Sequence, residues 1–110
     1  MEFKKYDKYT LLKPAQESVN EFLKTVASNY ANFKDEHLII DISEKINIEL
    51  KELLLFLDLS EIHRKNGLSF VIVCERIEID DIPDELNVAP TIEEAQDILE
   101  MDAIERDLGF

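Results

Sequence analysis

The sequence predicts one α/β domain built on a mixed β-sheet, and two apolar strands separated by a leucine-rich helix carry this prediction. Residues 38–42 and 68–73 are short apolar runs rich in β-branched side chains, which is typical of strands buried on both faces. Residues 50–65 contain neither Gly nor Pro and are followed by Asn66-Gly67, a pattern that predicts a helix and its end. Two strands joined by one helix form a parallel pair with a right-handed crossover.

The segment before this unit predicts a hairpin and a surface helix. Residues 2–14 place aromatic and branched side chains on either side of Asp7-Lys8, and Pro14 then ends the second strand. Over residues 16–33, apolar side chains recur every three or four positions, at Val19, Phe22, Leu23, Val26, Tyr30 and Phe33. This spacing predicts a helix with one apolar face.

The segment after the unit predicts a short strand at residues 86–89 and a final helix over residues 92–107. Thr91 and Glu94 have the spacing of a capping box at the helix start, and Gly109 is predicted to end the helix in a left-handed cap. The predicted core face comprises Ile92, Ala95, Ile98, Leu99 and Ala103, and a second, smaller stripe comprises Met101, Ile104 and Leu108.

The central helix carries its apolar residues in two stripes. At 100° per residue, one side groups Leu50, Leu53, Leu54 and Leu57, and the other groups Ile48, Leu55, Leu59 and Ile62. Phe56 lies between the stripes and is a candidate for the core. A helix packed on a sheet buries one stripe. The second stripe is therefore either covered by a neighbouring helix or exposed for another chain, including another copy of this one.

Length and charge restrict the function. A chain of 110 residues with 45% hydrophobic residues can bury one core, so we expect a single domain over residues 1–110. The net charge is −13, and residues 75–110 carry 13 acidic side chains against two arginines. Such a surface repels phosphate backbones and anionic lipids, so no nucleic-acid or membrane partner is expected. The acidic third is either a solvated face or a recognition surface for a basic partner.

The residues that carry most enzyme chemistry are sparse. His37 and His63 are the only histidines and have no Cys or carboxylate at metal-ligand spacing, so neither a zinc site nor a histidine-centred triad is predicted. His63 is interpreted as a positive charge at the negative end of its helix. The two glycines exclude a phosphate-binding loop. We therefore predict a non-enzymatic protein without cofactor or metal. A single cysteine, Cys74, and no apolar N-terminal segment indicate a cytoplasmic protein.

Several segments resemble the STAS family, the sulfate transporter and anti-sigma factor antagonist domains. They are Ile40-Asp41-Ile42-Ser43, residues 53–57, Arg64-Lys65-Asn66-Gly67, residues 70–73 and Thr91-Ile92-Glu93-Glu94-Ala95. The whole chain is also similar to short STAS-like proteins of Bacteroidetes. The resemblance implies a STAS-like mixed β-sheet with interspersed helices and a role in binding a regulatory protein.

One departure from the family alters what the resemblance implies. Where anti-sigma factor antagonists carry Asp-Ser-Ser-Gly, this chain reads Glu49-Leu50-Lys51-Glu52. The phosphorylatable serine falls on Lys51, or on Leu50 if the alignment shifts by one residue, and neither side chain accepts a phosphoryl group. The resemblance therefore implies a degenerate antagonist-like protein, whose protein partner would be of the anti-sigma-factor type and which lacks the kinase-controlled switch.

The same resemblance indicates where a partner would bind. In the family, the loop before the central helix and the start of that helix meet the partner, which corresponds here to Ile46, Asn47, Ile48, Glu49, Leu50 and Lys51. The second stripe adds Leu55, Leu59 and Ile62, and a homodimer through that stripe is compatible with the same role. The alternative is a small-ligand or nucleotide sensor, in which Lys51 at the helix start contacts an anion.

Overall fold

The computed structural model describes residues 1–15, 18–42, 48–75 and 79–109. Strands β1 to β5 are Glu2–Lys5, Thr10–Lys13, Leu38–Asp41, Phe70–Val73 and Asn87–Ala89. Helices α1 to α4 are Val19–Ser28, Leu50–Leu53, Leu57–Lys65 and Ile92–Asp107. Short 3₁₀ segments are Tyr30–Asn32, Leu54–Phe56 and Ile79–Asp81. The described residues form a single α/β domain, as predicted.

The five strands form one mixed sheet in the order β1-β2-β3-β4-β5. The predicted N-terminal hairpin is confirmed, because β1 pairs antiparallel with β2 and Lys5 lies opposite Thr10. The predicted parallel pair is confirmed as well: Leu38 lies opposite Phe70, and the register continues to the end of both strands. The predicted strand at residues 86–89 is present as β5, parallel to β4.

Alternation along the central strands divides the core between the two faces of the sheet. On the first face, α1, α2 and the turn that follows α2 pack on Leu12, Leu38, Ile40, Phe70 and Ile72. On the second face, α4 packs on Leu11, Ile39, Val71 and Val73. Because the parallel strands follow one another in a single direction across the sheet, crossovers of one hand place the connecting helices on the same face. The second face is left to the helix that follows the last strand.

Polar side chains define where α1 and α4 begin. The Ser18 hydroxyl accepts a hydrogen bond from the Glu21 amide at 3.3 Å, and the Thr91 hydroxyl accepts one from the Glu94 amide at 3.2 Å. Each cap satisfies an amide that has no partner within its helix. Helix α4 has the predicted bounds. Helix α1 is shorter than predicted because it ends at Ser28, and residues 16–17 lie outside the described part of the chain.

The predicted core face of α4 is correct over its first half and wrong at Ala103. Ala95 and Leu99 are buried and pack on the second face of the sheet. Further along, Ala103 is exposed, and the half-buried residues that continue the inward face are Asp102 and Arg106. Both side chains contact Ser69, at the start of the central strands, by hydrogen bonds. Polar contacts therefore replace apolar packing at this end of the helix.

The predicted continuous helix over residues 50–65 is present as α2 and α3 joined by the 3₁₀ segment Leu54–Phe56. A 3₁₀ turn changes the angular spacing of side chains, so the two stripes drawn at 100° per residue do not persist along the segment. The residues that face the core are Leu53, Phe56, Ser60 and His63, all of which are buried. The assignment of Phe56 to the core is confirmed.

The end of α3 is a Schellman motif centred on Gly67. The Gly67 amide donates to the Arg64 carbonyl at 3.0 Å, and the Leu68 amide donates to the His63 carbonyl at 3.4 Å. Gly67 has φ of 81°, a conformation that only glycine adopts without a steric penalty. Beyond Gly67 and its two chain neighbours, an added Cβ would meet no heavy atom within 4 Å, so the requirement for glycine lies in the local backbone conformation. The predicted stop at Asn66-Gly67 is confirmed.

Replacing Gly67 tests this cap. We expect Gly67→Ala to lower the free energy of unfolding by about 1–2 kcal/mol, because the methyl group clashes with its own backbone in the left-handed conformation. Gly67→Asn is the matched control, and its free energy of unfolding is expected to fall by less, since Asn tolerates this conformation better than Ala. Urea denaturation followed by circular dichroism measures both. Equal stability of wild type and Gly67→Ala would contradict the assignment.

Candidate functional site

The predicted partner-binding residues divide into exposed, partly buried and buried groups. Ile46 and Asn47 lie outside the described residues. Glu49 and Lys51 are exposed at the start of α2, and Leu50 between them is half-buried. Further along the same surface, the side chains of Leu55 and Ile62 are 47% and 54% exposed. We call Glu49, Lys51, Leu55 and Ile62 the α2–α3 surface.

Two of the predicted residues do not belong to the α2–α3 surface. Ile48 is buried in the core of the first face, so little of its side chain is exposed, and its contact with a partner stays a prediction. Leu59 is half-buried and packs against the same core. Both side chains are covered by their own domain, which is the outcome expected if a neighbouring element covers part of the second stripe.

The start of α2 is organised by charged side chains. The Glu49 amide donates to a carboxylate oxygen of Glu52 at 3.1 Å, which satisfies one of the free amides of the helix start. The Lys51 ammonium lies 3.4 Å from a carboxylate oxygen of Glu49, and its side chain is 82% exposed. An ion pair this exposed contributes little stability. Lys51 is therefore free to exchange Glu49 for another acidic group.

The structure corrects the interpretation of His63. This residue is fully buried on the core-facing side of α3 and does not lie at the surface as a positive charge. Its Nε2 lies 2.6 Å from the Glu36 carbonyl oxygen, and its Nδ1 lies 2.5 Å from the Tyr30 hydroxyl. Because a carbonyl oxygen only accepts, Nε2 carries the proton, and Nδ1 accepts from Tyr30. Burial lowers the pKa of His63, which favours this neutral form.

A second polar cluster lies where β3 and β4 begin. The ring of His37 accepts a hydrogen bond through Nδ1 from the Ser69 amide at 2.9 Å. The Ser69 hydroxyl donates to Asp102 at 2.8 Å and lies 3.4 Å from the Arg106 guanidinium. Burial, and then the positive charge of Arg106, lower the pKa of His37. Since Nδ1 accepts, Nε2 carries the proton of the neutral ring, so the imidazole is a donor on its other side.

This cluster borders a cleft of about 810 Å³ between the β1–β2 turn and α4. Its walls include Tyr6 and Tyr9, whose rings stack with centroids 4.9 Å apart. The Gln96 amide donates to the Tyr9 hydroxyl at 2.8 Å and ties the turn to the helix. His37 and Arg106 also line the cleft. The cleft was not predicted, because its residues are far apart in sequence and none belongs to a recognisable motif.

The arrangement in this cluster differs from that of a hydrolytic triad. In a triad the serine hydroxyl donates to an imidazole nitrogen, and the carboxylate holds the other ring nitrogen. Here the Ser69 hydroxyl donates to the carboxylate, and the imidazole receives a backbone amide. Among the described residues, no group of three or more His, Cys, Asp or Glu side chains is placed to hold a metal ion.

Comparison with known proteins gives no assignment: no family model and no curated protein matches the sequence. Within the described ranges, no helix has the length and apolar character that crossing a membrane requires.

The two histidines predict how stability depends on pH. Both have a folded pKa below the unfolded value near 6.5, so the unfolded chain binds more protons once the pH falls through that value. We expect the free energy of unfolding to decrease from about pH 7.5 to about pH 5.5. Urea titrations at both values measure the change. Glu36, whose pKa is lowered by its hydrogen bond with Lys5, stays ionised over this range.

His63→Gln and His37→Gln provide the controls for the pH effect. Each variant removes one imidazole, so its free energy of unfolding is expected to depend less on pH than that of wild type, whatever its stability at about pH 7.5. A pH dependence that is unchanged in both variants would show that other groups cause it.

Proposed function

We propose that this protein is a non-enzymatic, cytoplasmic protein-interaction module, a degenerate anti-sigma factor antagonist-like protein of STAS type that binds a protein partner through the α2–α3 surface. The observation that carries the proposal is the exposure of Leu55 and Ile62. The buried residues Leu53, Phe56, Ser60 and His63 face the core, so the exposed Leu55 and Ile62 both lie on the outward side of the segment.

The exposed apolar area is sufficient to contribute to binding. Full burial of a Leu or Ile side chain contributes about 1.5–3 kcal/mol, so covering the exposed half of each gives about 1 kcal/mol per side chain. Apolar contacts ringed by charged side chains are the usual anatomy of a protein interface. Here the flanking residues are Glu49, Lys51 and Asp58, all exposed.

The fold is compatible with the STAS-type assignment. The resemblance implies a mixed sheet, a parallel β3–β4 pair and a helical segment between these strands, although other α/β domains share these features. By the resemblance, the family's phosphorylated serine falls on Lys51, or on Leu50 if the alignment shifts by one residue, and both lie at the start of α2. Since lysine cannot accept a phosphoryl group, the proposed partner is bound without that switch. A positive Lys51 beside Leu55 favours a partner surface with an acidic group next to an apolar one.

Substitution of the two apolar side chains tests the proposal. We expect Leu55→Asp/Ile62→Asp to abolish capture of the partner from lysate of the native cells, because two buried carboxylates would be left without partners at the interface. Both positions are exposed, so the variant should keep the circular dichroism spectrum of wild type.

Asn20→Asp/Ala27→Asp is the matched control, because it introduces two aspartates at exposed positions of α1, away from the α2–α3 surface. Capture should survive in this variant. Undiminished capture by the folded Leu55→Asp/Ile62→Asp protein would sink the proposal.

Small-ligand or nucleotide sensing is the second candidate function, and the cleft beside His37 is the observation that favours it. The cleft combines stacked tyrosine rings with two donors, the His37 imidazole and the Arg106 guanidinium. Such a set suits a planar ligand that carries an anionic group. Lys51, the anion contact expected from the sequence, offers less, because it is a highly exposed side chain on an open surface.

Calorimetric titration with ATP and GTP tests this second candidate. If the cleft binds a nucleotide, wild type should release heat on titration. Arg106→Gln removes the cation but keeps a donor, and it should lower the affinity for the nucleotide at least about tenfold. No heat with either nucleotide would remove nucleotide sensing.

A further inference from the structure

We propose that the outer side of α4 is a second docking surface, and that its occupant is a basic amphipathic helix of a partner protein. Three apolar side chains form this surface: Met101, Ile104 and Leu108, which are 60%, 59% and 65% exposed. We call them the α4 outer stripe. The inference does not depend on the α2–α3 surface, which belongs to helices on the opposite face of the sheet.

The stripe is continuous and faces away from the core. Its residues are spaced by three and four positions, which aligns them along one side of a helix over two turns. The buried residues Ala95 and Leu99 lie roughly opposite when the helix is viewed down its axis at 100° per residue. The stripe therefore contributes nothing to the core of this domain. Its spacing is the one with which a helix meets another helix lying along it.

Charge identifies the occupant. Exposed acidic residues surround the stripe: Glu100 and Glu105 lie on its two sides, and Asp97 lies in line with it, one helical turn before Met101. The one cation of α4, Arg106, is half-buried and directs its guanidinium to Ser69. A helix with lysine or arginine on both flanks of an apolar face would complement this pattern. A symmetric contact with a second copy would instead bring carboxylates together, which is unfavourable.

The probe for this surface is a fluorescein-labelled peptide with leucines at helical spacing of three and four and lysines at the other positions. In fluorescence anisotropy at roughly 0.15 M salt, the peptide is expected to bind wild type. A peptide with glutamate in place of every lysine should not bind.

Matched variants separate docking on the stripe from general attraction to an acidic protein. Met101→Gln/Ile104→Gln/Leu108→Gln keeps every charge and is expected to lower the affinity for the lysine peptide at least about tenfold. Asn20→Gln/Ala27→Gln, at exposed positions of α1 that belong to neither surface, should bind it like wild type. Asp97→Asn/Glu105→Gln keeps the stripe and should also weaken binding, with a smaller dependence on salt.

Three results would overturn the inference. The first is equal binding by wild type and the triple glutamine variant, which would mean that the lysines meet only diffuse negative charge. The second is unchanged binding by Asp97→Asn/Glu105→Gln. The third is a wild-type dimer in sedimentation velocity that the triple variant turns into a monomer, because the stripe would then be covered by a second copy.

Discussion

Burial of both faces of β3 and β4 is the constraint on which the rest of the structure depends. Every residue of these two strands is buried, so apolar cover is needed on both sides of the sheet. The strands follow one another across the sheet in chain order, and crossovers of one hand bring their connecting helices to one face. An element that follows the last strand can cover the other face without the chain passing between the two faces in the middle of the sheet. Helix α4 has this position and supplies the cover with Ala95 and Leu99.

The same constraint explains the polar clusters at the edge where β3 and β4 begin. In a parallel sheet, the connecting helices return to this edge, so the end of α3 meets the residues that precede β3. The backbone carbonyl of Glu36 needs a donor in this partly buried region, and the His63 imidazole provides it. On the other face, Asp102 and Arg106 meet Ser69 at the start of β4. Each cluster satisfies polar groups that would otherwise be buried without partners.

Most of the fold could be predicted from the sequence because its signals are local. The apolar runs of β3 and β4, the helical spacing in α1 and the caps at Thr91 and Gly67 each lie within a few residues. The orientation of α3 was not predictable in this way. Ser60 and His63 face the core, whereas the pattern of apolar positions along the helix predicts that these two polar residues face solvent. His63 is accommodated because Tyr30 and Glu36 satisfy its ring nitrogens, and these partners are about thirty residues away along the chain, beyond any local window.

The candidate sites were predictable only in part, for a related reason. Sequence periodicity finds an exposed stripe when the helix is regular, as at α4, where Met101, Ile104 and Leu108 are exposed as a group. It fails where a 3₁₀ turn interrupts the helix, so periodicity groups Ile48 and Leu59 with Leu55 and Ile62, although Ile48 is buried and Leu59 is half-buried against the core. The cleft beside His37 joins three segments, and its shape follows from tertiary packing alone.

The uneven charge of the chain distinguishes the two outward surfaces. Acidic and basic residues are mixed around the α2–α3 surface, where Lys51 accompanies Glu49 and Arg64 and Lys65 end α3. The exposed flanks of α4 are acidic. Like charges on both sides of an exposed apolar stripe oppose pairing between copies and leave an oppositely charged partner favoured. Exposed apolar area alone would promote indiscriminate association. If the α4 outer stripe docks a basic helix as proposed, the acidic residues of the last third would supply the selectivity that three apolar side chains lack, and the charge on α4 would have a physical role beyond solubility.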